Sequence, residues 1–208
     1  SILPISLNKK IQNSTENLLF LLRGNRNLSE KLLFVFIGPE DVEALGGWPI
    51  SRDYYAFLIH KLKLDSARVI GIDVLFAKPD PQYQEYDRTL SETIQASGNV
   101  CLPMTFGELS LTSLGKKMLS GIQPVTPMET FSVAAAGLGF SNLGNLPTIR
   151  EVPFVVKLNT QLIFSFGAEL ARLYLGGNWN LAEDSRNLEL IDSGQVKRRI
   201  TLNDNGHL

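Results

Sequence analysis

Two continuous apolar runs, with an amphipathic stretch between them, dominate the hydrophobic pattern of this chain. Residues 32–38 (LLFVFIG) and 69–76 (VIGIDVLF) are apolar almost throughout, which is typical of strands covered on both faces. Residues 51–65 between them carry apolar side chains at helical spacing, with Ser51 as candidate N-cap. This order predicts strand, crossover helix, strand, with the two strands parallel and adjacent.

The rest of the chain continues the alternation of helices and strands. Further predicted elements are a helix over 86–97, a strand over 99–104, a hairpin of 152–158 and 161–164, a helix over 166–175, and late strands over 188–191 and 199–202. The predicted fold class is therefore α/β: a three-layer sandwich with a mainly parallel central sheet and a C-terminal antiparallel hairpin. We interpret residues 1–208 as a single domain.

Composition narrows the possible functions. The 208 residues are 44% hydrophobic and 20% charged, which is enough apolar surface for a sizeable core. A formal net charge of -1 predicts no nucleic-acid partner. Cys101 is the single cysteine and there are two histidines, so we predict neither a disulfide nor a transition-metal site, and no cofactor.

The apolar runs are too short to cross a membrane, which takes roughly 18 residues or more. The chain begins at Ser1 without an initiator methionine and stops after a turn-like Asn205-Gly206. We therefore interpret it as a piece of a longer protein, from which flanking membrane segments are missing.

Several short motifs together resemble one family. They are GWPISR at 47–52, ARVIGIDVLF at 67–76, SGNV at 97–100, LGFSN at 138–142, IREVP at 149–153 and FSFGAELA at 164–171. In this order they resemble the type-two CHASE domain, the extracytoplasmic sensor of bacterial adenylate cyclases, histidine kinases and serine/threonine kinases. The chain departs from the family pattern at Gly38, where an aspartate is frequent, at Ile50 and at Phe164.

The resemblance implies an extracytoplasmic or periplasmic sensory domain of a membrane-anchored bacterial receptor with a cytoplasmic cyclase or kinase output. Such a domain would bind an unknown small molecule or protein signal, without catalysis of its own, and a homodimer is plausible. The alternative is a structural module that dimerises the receptor and binds no small molecule. An α/β enzyme is a third hypothesis, but the sequence offers no credible set of nucleophile, histidine and acid.

The predicted ligand site lies at the carboxyl ends of the two parallel strands. Trp48 would stack on a ligand, Arg52 would bind an anionic group, and Asp73 and Asp80 would accept hydrogen bonds. The alternative is structural: Trp48 and Pro49 plug the core, and Arg52 pairs with Asp73.

Four further positions are candidates. Asn142, which closes the LGFSN motif, and Arg150 complete the predicted ligand-binding set, and a cross-strand ion pair is the alternative for Arg150. Asp80 and Asp87, with Glu85, could hold a divalent cation, although a solvated acidic loop is the simpler interpretation.

Overall fold

The structure is a computed structural model that describes residues 14–15, 17–24, 29–80, 83–111, 119–143, 152–182 and 187–202. The chain divides into two units, Ser1–Ala44 and Leu45–Leu208. Within the described ranges, no helix is both long and apolar enough to cross a membrane.

The described residues of the first unit form two helices and an extended segment. Helix α1 includes residues 14–15 and 17–23, and it is followed by Gly24, which has a φ of +69°. Helix α2 is Pro39–Ala44. Its start is fixed by the N–H of Gly38, which donates to Asp41 Oδ2 at 2.8 Å.

The predicted strand over residues 32–38 is wrong. Residues 32–37 are extended but belong to no strand, and the second apolar run forms only the short strand β1, Ile70–Gly71. In the described part of the chain β1 pairs with β2 alone, so the predicted parallel neighbour is missing. An apolar run shows that side chains need cover, but it does not identify the surface that covers them.

The helices of the second unit follow the predicted pattern. Helix α3 is Arg52–Leu64 and buries Tyr55 and Ile59. Helix α4 is Gln84–Ser97, ends at the left-handed Gly98, and buries Leu90 and Ile94 completely. The others are α5, Glu129–Ala134, and α6, Phe166–Leu175.

A six-stranded sheet forms the centre of the second unit. It contains β1, then β2 (Val100–Leu111), β3 (Leu119–Val125), β4 (Gly137–Phe140), β5 (Val155–Leu158) and β6 (Gln161–Phe164). The first half of β2 pairs in parallel with β1 and with β4, and its second half pairs antiparallel with β3. β3 pairs in parallel with β5, and β5 and β6 form the predicted antiparallel hairpin.

The last three strands of the described chain form a separate antiparallel sheet. Its strands are β7 (Asn178–Leu181), β8 (Asn187–Asp192) and β9 (Gln195–Thr201). β8 and β9 form the predicted C-terminal hairpin around Ser193 and Gly194, both with positive φ. The α/β class, with a mainly parallel central sheet and this hairpin, is confirmed.

Helices cover both faces of the central sheet. α6 packs on β4 and β2, and a Cβ on Gly71 of β1 would meet the side chains of Leu170 and Phe166. Ile70 and Ile72 point to the opposite face and are buried. α3 packs against α4, and α4 against α5. The contacts of Phe76 with Tyr55 and Phe131 join α3, the chain after β1 and α5.

Candidate functional site

Arg52, at the start of α3, is buried and has all of its observed polar and ring contacts within the second unit. It is 6% exposed, its Nε donates to Asp87 Oδ1 at 3.3 Å, and its guanidinium donates to the carbonyl of Lys78 at 3.2 Å. The guanidinium carbon lies 4.6 Å from the centroid of the Phe76 ring. Arg52 therefore ties α3 to α4 and to the loop after β1. The alternative pairing of Arg52 with Asp73 is wrong, because its partner is Asp87.

Asp80 joins the same network through its backbone. Its N–H donates to Asp87 Oδ2 at 2.8 Å, while its carboxylate accepts from the N–H of Tyr83 at 2.8 Å. The side chain of Asp87 thus binds Arg52 with one oxygen and the loop with the other. Two predicted site residues, Arg52 and Asp80, are brought together by a third that the ligand-site prediction did not include.

Trp48 and Asp73 lie outside this network. Trp48 is 65% exposed, so it does not plug the core, and Ile50 is the residue buried there instead. Asp73 is exposed on the chain after β1. Neither side chain has a hydrogen bond or ion pair within the described residues.

Asn142 supports the sheet. Its Oδ1 accepts from the N–H of Phe106 at 2.7 Å and from the hydroxyl of Thr105 at 3.1 Å, and its Nδ2 donates to the Phe106 carbonyl at 2.7 Å. The side chain therefore pairs with the backbone of β2 as a neighbouring strand would. Arg150 lies outside the described residues.

A cavity of about 340 Å³ opens beside Asp87. Pro79 of its lining belongs to the loop after β1, and the N–H of Met128, at the start of α5, donates to the carbonyl of Phe76 in that loop at 2.8 Å. The residues that line it are Pro79, Gln84, Asp87, Arg88, Ser91, Glu92, Met128 and Thr130. Its volume lies near the lower end of the range for small-molecule sites, and the cavity is open to solvent on one side.

Most of the polar lining comes from one face of α4. Residues 84, 87, 88, 91 and 92 follow the helical spacing i, i+3, i+4, i+7, i+8, next to the buried face that carries Leu90 and Ile94. The ligand-site prediction missed this face. The signal that could have found it is the polar stripe on a helix that directly follows the predicted strand end.

Three buried polar atoms at the start of α3 have no hydrogen-bond partner in the described structure: Ser51 Oγ, Asp53 Oδ1 and Tyr55 Oη. Ser51 occupies the predicted N-cap position without making a capping bond. Burial raises the pKa of Tyr55, and the nearby Arg52 charge opposes this shift. The Tyr55 phenol is therefore neutral near pH 7.

The suggested cation site at Asp80, Asp87 and Glu85 does not form. Among the residues that the structure describes, no group of three or more histidine, cysteine, aspartate or glutamate side chains could hold a metal ion. Both oxygens of Asp87 already accept hydrogen bonds. His60 is exposed on α3.

These features define the class of the second unit: an α/β domain with an open cavity beside α4 and the loop that follows β1. The family comparison is more specific. The CHASE2 domain family matches residues 2–208, and the chain belongs to this family. CHASE2 domains are sensory, non-catalytic domains, which agrees with the resemblance in the sequence motifs. Comparison with curated proteins and with solved structures gave no match.

Proposed function

We propose that this chain is the extracytoplasmic sensory domain of a bacterial transmembrane receptor, such as an adenylate or guanylate cyclase or a histidine kinase. It binds a small polar molecule in the cavity between α4 and the start of α5. The observation that carries this proposal is the family match over residues 2–208, together with a cavity of about 340 Å³ beside α4 and the loop after β1.

The cavity lining suggests the chemistry of the ligand. Arg88 supplies a cation, Glu92 supplies a carboxylate, and Gln84 supplies both a donor and an acceptor. Pro79 and Met128 add apolar surface. A small zwitterion or polyhydroxylated molecule fits this mixture of charges better than a simple anion does.

The Arg52–Asp87 pair couples the cavity to the rest of the unit. Asp87 lines the cavity and also holds the start of α3 and the loop after β1. A ligand that prefers one position of α4 therefore shifts the population of arrangements of α3 and α4. In this proposal Arg52 and Asp80 position the cavity wall, and such a shift is the signal passed to the receptor.

The test is a thermal-shift screen of the purified chain against amino acids, sugars, polyols and small carboxylates. A ligand at 100 times its Kd stabilises a protein by about 2.7 kcal/mol, which raises the Tm by roughly 5 to 10 °C for a chain of this size. Ser91→Trp fills the cavity. Gln95→Trp, on the exposed side of the same helix, is the matched control.

We expect at least one compound class to raise the Tm of the wild type and of Gln95→Trp, but not that of Ser91→Trp. A shift that persists in Ser91→Trp would place the ligand elsewhere. If no compound class shifts the Tm, small-molecule sensing by this cavity is contradicted.

A further inference from the structure

The first unit exposes an unusual amount of apolar surface. Among its described residues, eleven large apolar side chains are between 41% and 84% exposed: Leu18, Leu19, Phe20, Leu21, Leu22, Leu32, Leu33, Phe34, Val35, Phe36 and Ile37. If each offers roughly 70 Å² of apolar surface, together they offer on the order of 800 Å². That is about the area that one partner contributes to a stable protein interface.

The backbone of the extended segment is also unpaired. In the described part of the chain, residues 33–37 donate no backbone hydrogen bond, and the carbonyls of 32–37 accept none. The segment nevertheless has the side-chain alternation of a strand. The rings of Phe34 and Phe36 stack on one side, with centroids 6.1 Å apart.

Two kinds of occupant could cover such a surface, and the unpaired backbone distinguishes them. A lipid phase would cover the side chains but could not satisfy the backbone N–H and C=O groups. A paired strand would satisfy these backbone groups and would bring its side chains into cross-strand contact with those of the segment. The segment itself, from a second copy of the chain, has the right length and composition, and an antiparallel pair of identical strands closes about a two-fold axis.

We propose that residues 32–37 of two copies pair antiparallel about a two-fold axis near Val35, with the apolar side chains of α1 extending the contact. The first unit is then the dimerisation surface of the domain. This inference is independent of ligand binding, because every residue it uses lies before the second unit. A failed ligand screen therefore leaves it untouched.

The first test is the oligomeric state of the 208-residue chain by sedimentation equilibrium. Phe34→Glu puts like charges near each other across the two-fold axis. Phe57→Glu, at a 70% exposed position on α3, is the matched control. We expect a dimer for the wild type and for Phe57→Glu, and a Kd of dimerisation at least about tenfold higher for Phe34→Glu.

The second test is disulfide trapping. Residues opposite one another in an antiparallel pair have Cα atoms roughly 4.5 to 5.5 Å apart, which a disulfide can span. Cys101 is buried and does not interfere. Val35→Cys should form a covalent dimer under mild oxidation. Val133→Cys, at a 79% exposed position on α5, should not.

Three results would overturn the proposal. One is a monomeric wild type at roughly 100 μM, well above the Kd range of stable dimers. Another is a dimer that Phe57→Glu weakens and Phe34→Glu does not. The third is a monomer whose apolar surface is covered in another way. Co-sedimentation with phosphatidylglycerol vesicles would show that lipid covers it. Protection of amides 33–37 from hydrogen exchange in the monomer would show that the same chain covers it.

Discussion

At the scale of single residues, Asp87 has the most connections among the cavity-lining side chains. One oxygen accepts from Arg52 and the other from the backbone of Asp80, while the residue is 7% exposed. A buried carboxylate is tolerated when a cation and hydrogen bonds satisfy it, as they do here. Loss of Arg52 leaves the buried carboxylate of Asp87 without its counter-charge, and loss of Asp87 does the same to Arg52.

Replacing Arg52 by alanine should therefore destabilise the second unit strongly. Breaking a buried ion pair from one side typically costs about 3 to 5 kcal/mol. The matched control is Arg88→Ala, which removes an exposed pair with Glu92 at 3.9 Å on α4. That change should cost less than about 1 kcal/mol. Urea unfolding of both variants measures the difference, and equal losses would contradict a central role for the Arg52–Asp87 pair.

The buried thiol of Cys101 should make the folding stability decrease as the pH rises above 9. Burial raises the pKa of its thiol to about 12, from an ordinary value of 9.0; Glu169 adds to the shift and Arg172 opposes it. Above pH 9 the unfolded chain releases this proton and the folded chain keeps it. The unfolded state then binds fewer protons, so this contribution to stability is complete below pH 9 and is lost progressively as the pH rises toward 12.

We therefore expect the Tm of the wild type to fall more steeply between pH 9 and 11 than that of Cys101→Ala. Other alkaline groups are common to both proteins, so the difference in slope reports Cys101 alone. The limit for one group is about 1.4 kcal/mol per pH unit. Parallel slopes would show that the thiol titrates normally in the folded state.

At the scale of elements, the close packing of α6 against β4 requires glycine at position 139, because there is no room for a side chain. A Cβ on Gly139 would lie 2.5 Å from Phe166 Cα and 2.7 Å from its nitrogen. These are backbone atoms at the start of α6 and cannot move aside. Phe140 also forms a bridge with Ser165, whose side chain caps α6 by accepting from Ala168 N–H at 3.3 Å. Glycine at 139 is what allows α6 to pack this closely on the sheet.

Gly139→Ala should consequently cost about 1 to 3 kcal/mol through overpacking. Gly167→Ala, in the first turn of α6, is the matched control, because a Cβ there would meet nothing within 4 Å. That change should be neutral, or stabilising by up to about 1 kcal/mol, since alanine favours the helix. Thermal melts followed by circular dichroism decide between them. A tolerated Gly139→Ala would mean that the helix can shift at little cost.

The elements also show what the sequence could predict. Helical spacing located α3 through Tyr55 and Ile59, and the Asn159-Thr160 turn located the β5–β6 hairpin, because both signals are local. The predicted strand over 32–38 failed because strand pairing is a tertiary choice. Arg52 was predicted as a ligand-binding residue, and the structure pairs it with Asp87, which lies 35 residues away along the chain. The spacing of residues does not identify such a partner.

At the scale of the whole molecule, the buried core belongs to one unit. In the described residues, every buried hydrophobic side chain lies at or after Ile50, whereas eleven large apolar side chains of the first unit are exposed. The second unit therefore has the means to fold by itself, since burial of apolar surface is the dominant favourable term in folding.

We expect a chain of residues 45–208 to fold cooperatively without the first 44 residues. Its Tm should lie within roughly 5 °C of that of the 208-residue chain, because a loss near 1 kcal/mol shifts the Tm of a domain this size by about 2 to 4 °C. If the first unit also carries the dimer contact, the shortened chain sediments as a monomer and its Tm does not depend on concentration. A broad, non-cooperative melt of the shortened chain would instead mean that residues 1–44 complete the core, and that the apolar run at 32–37 is covered by its own chain.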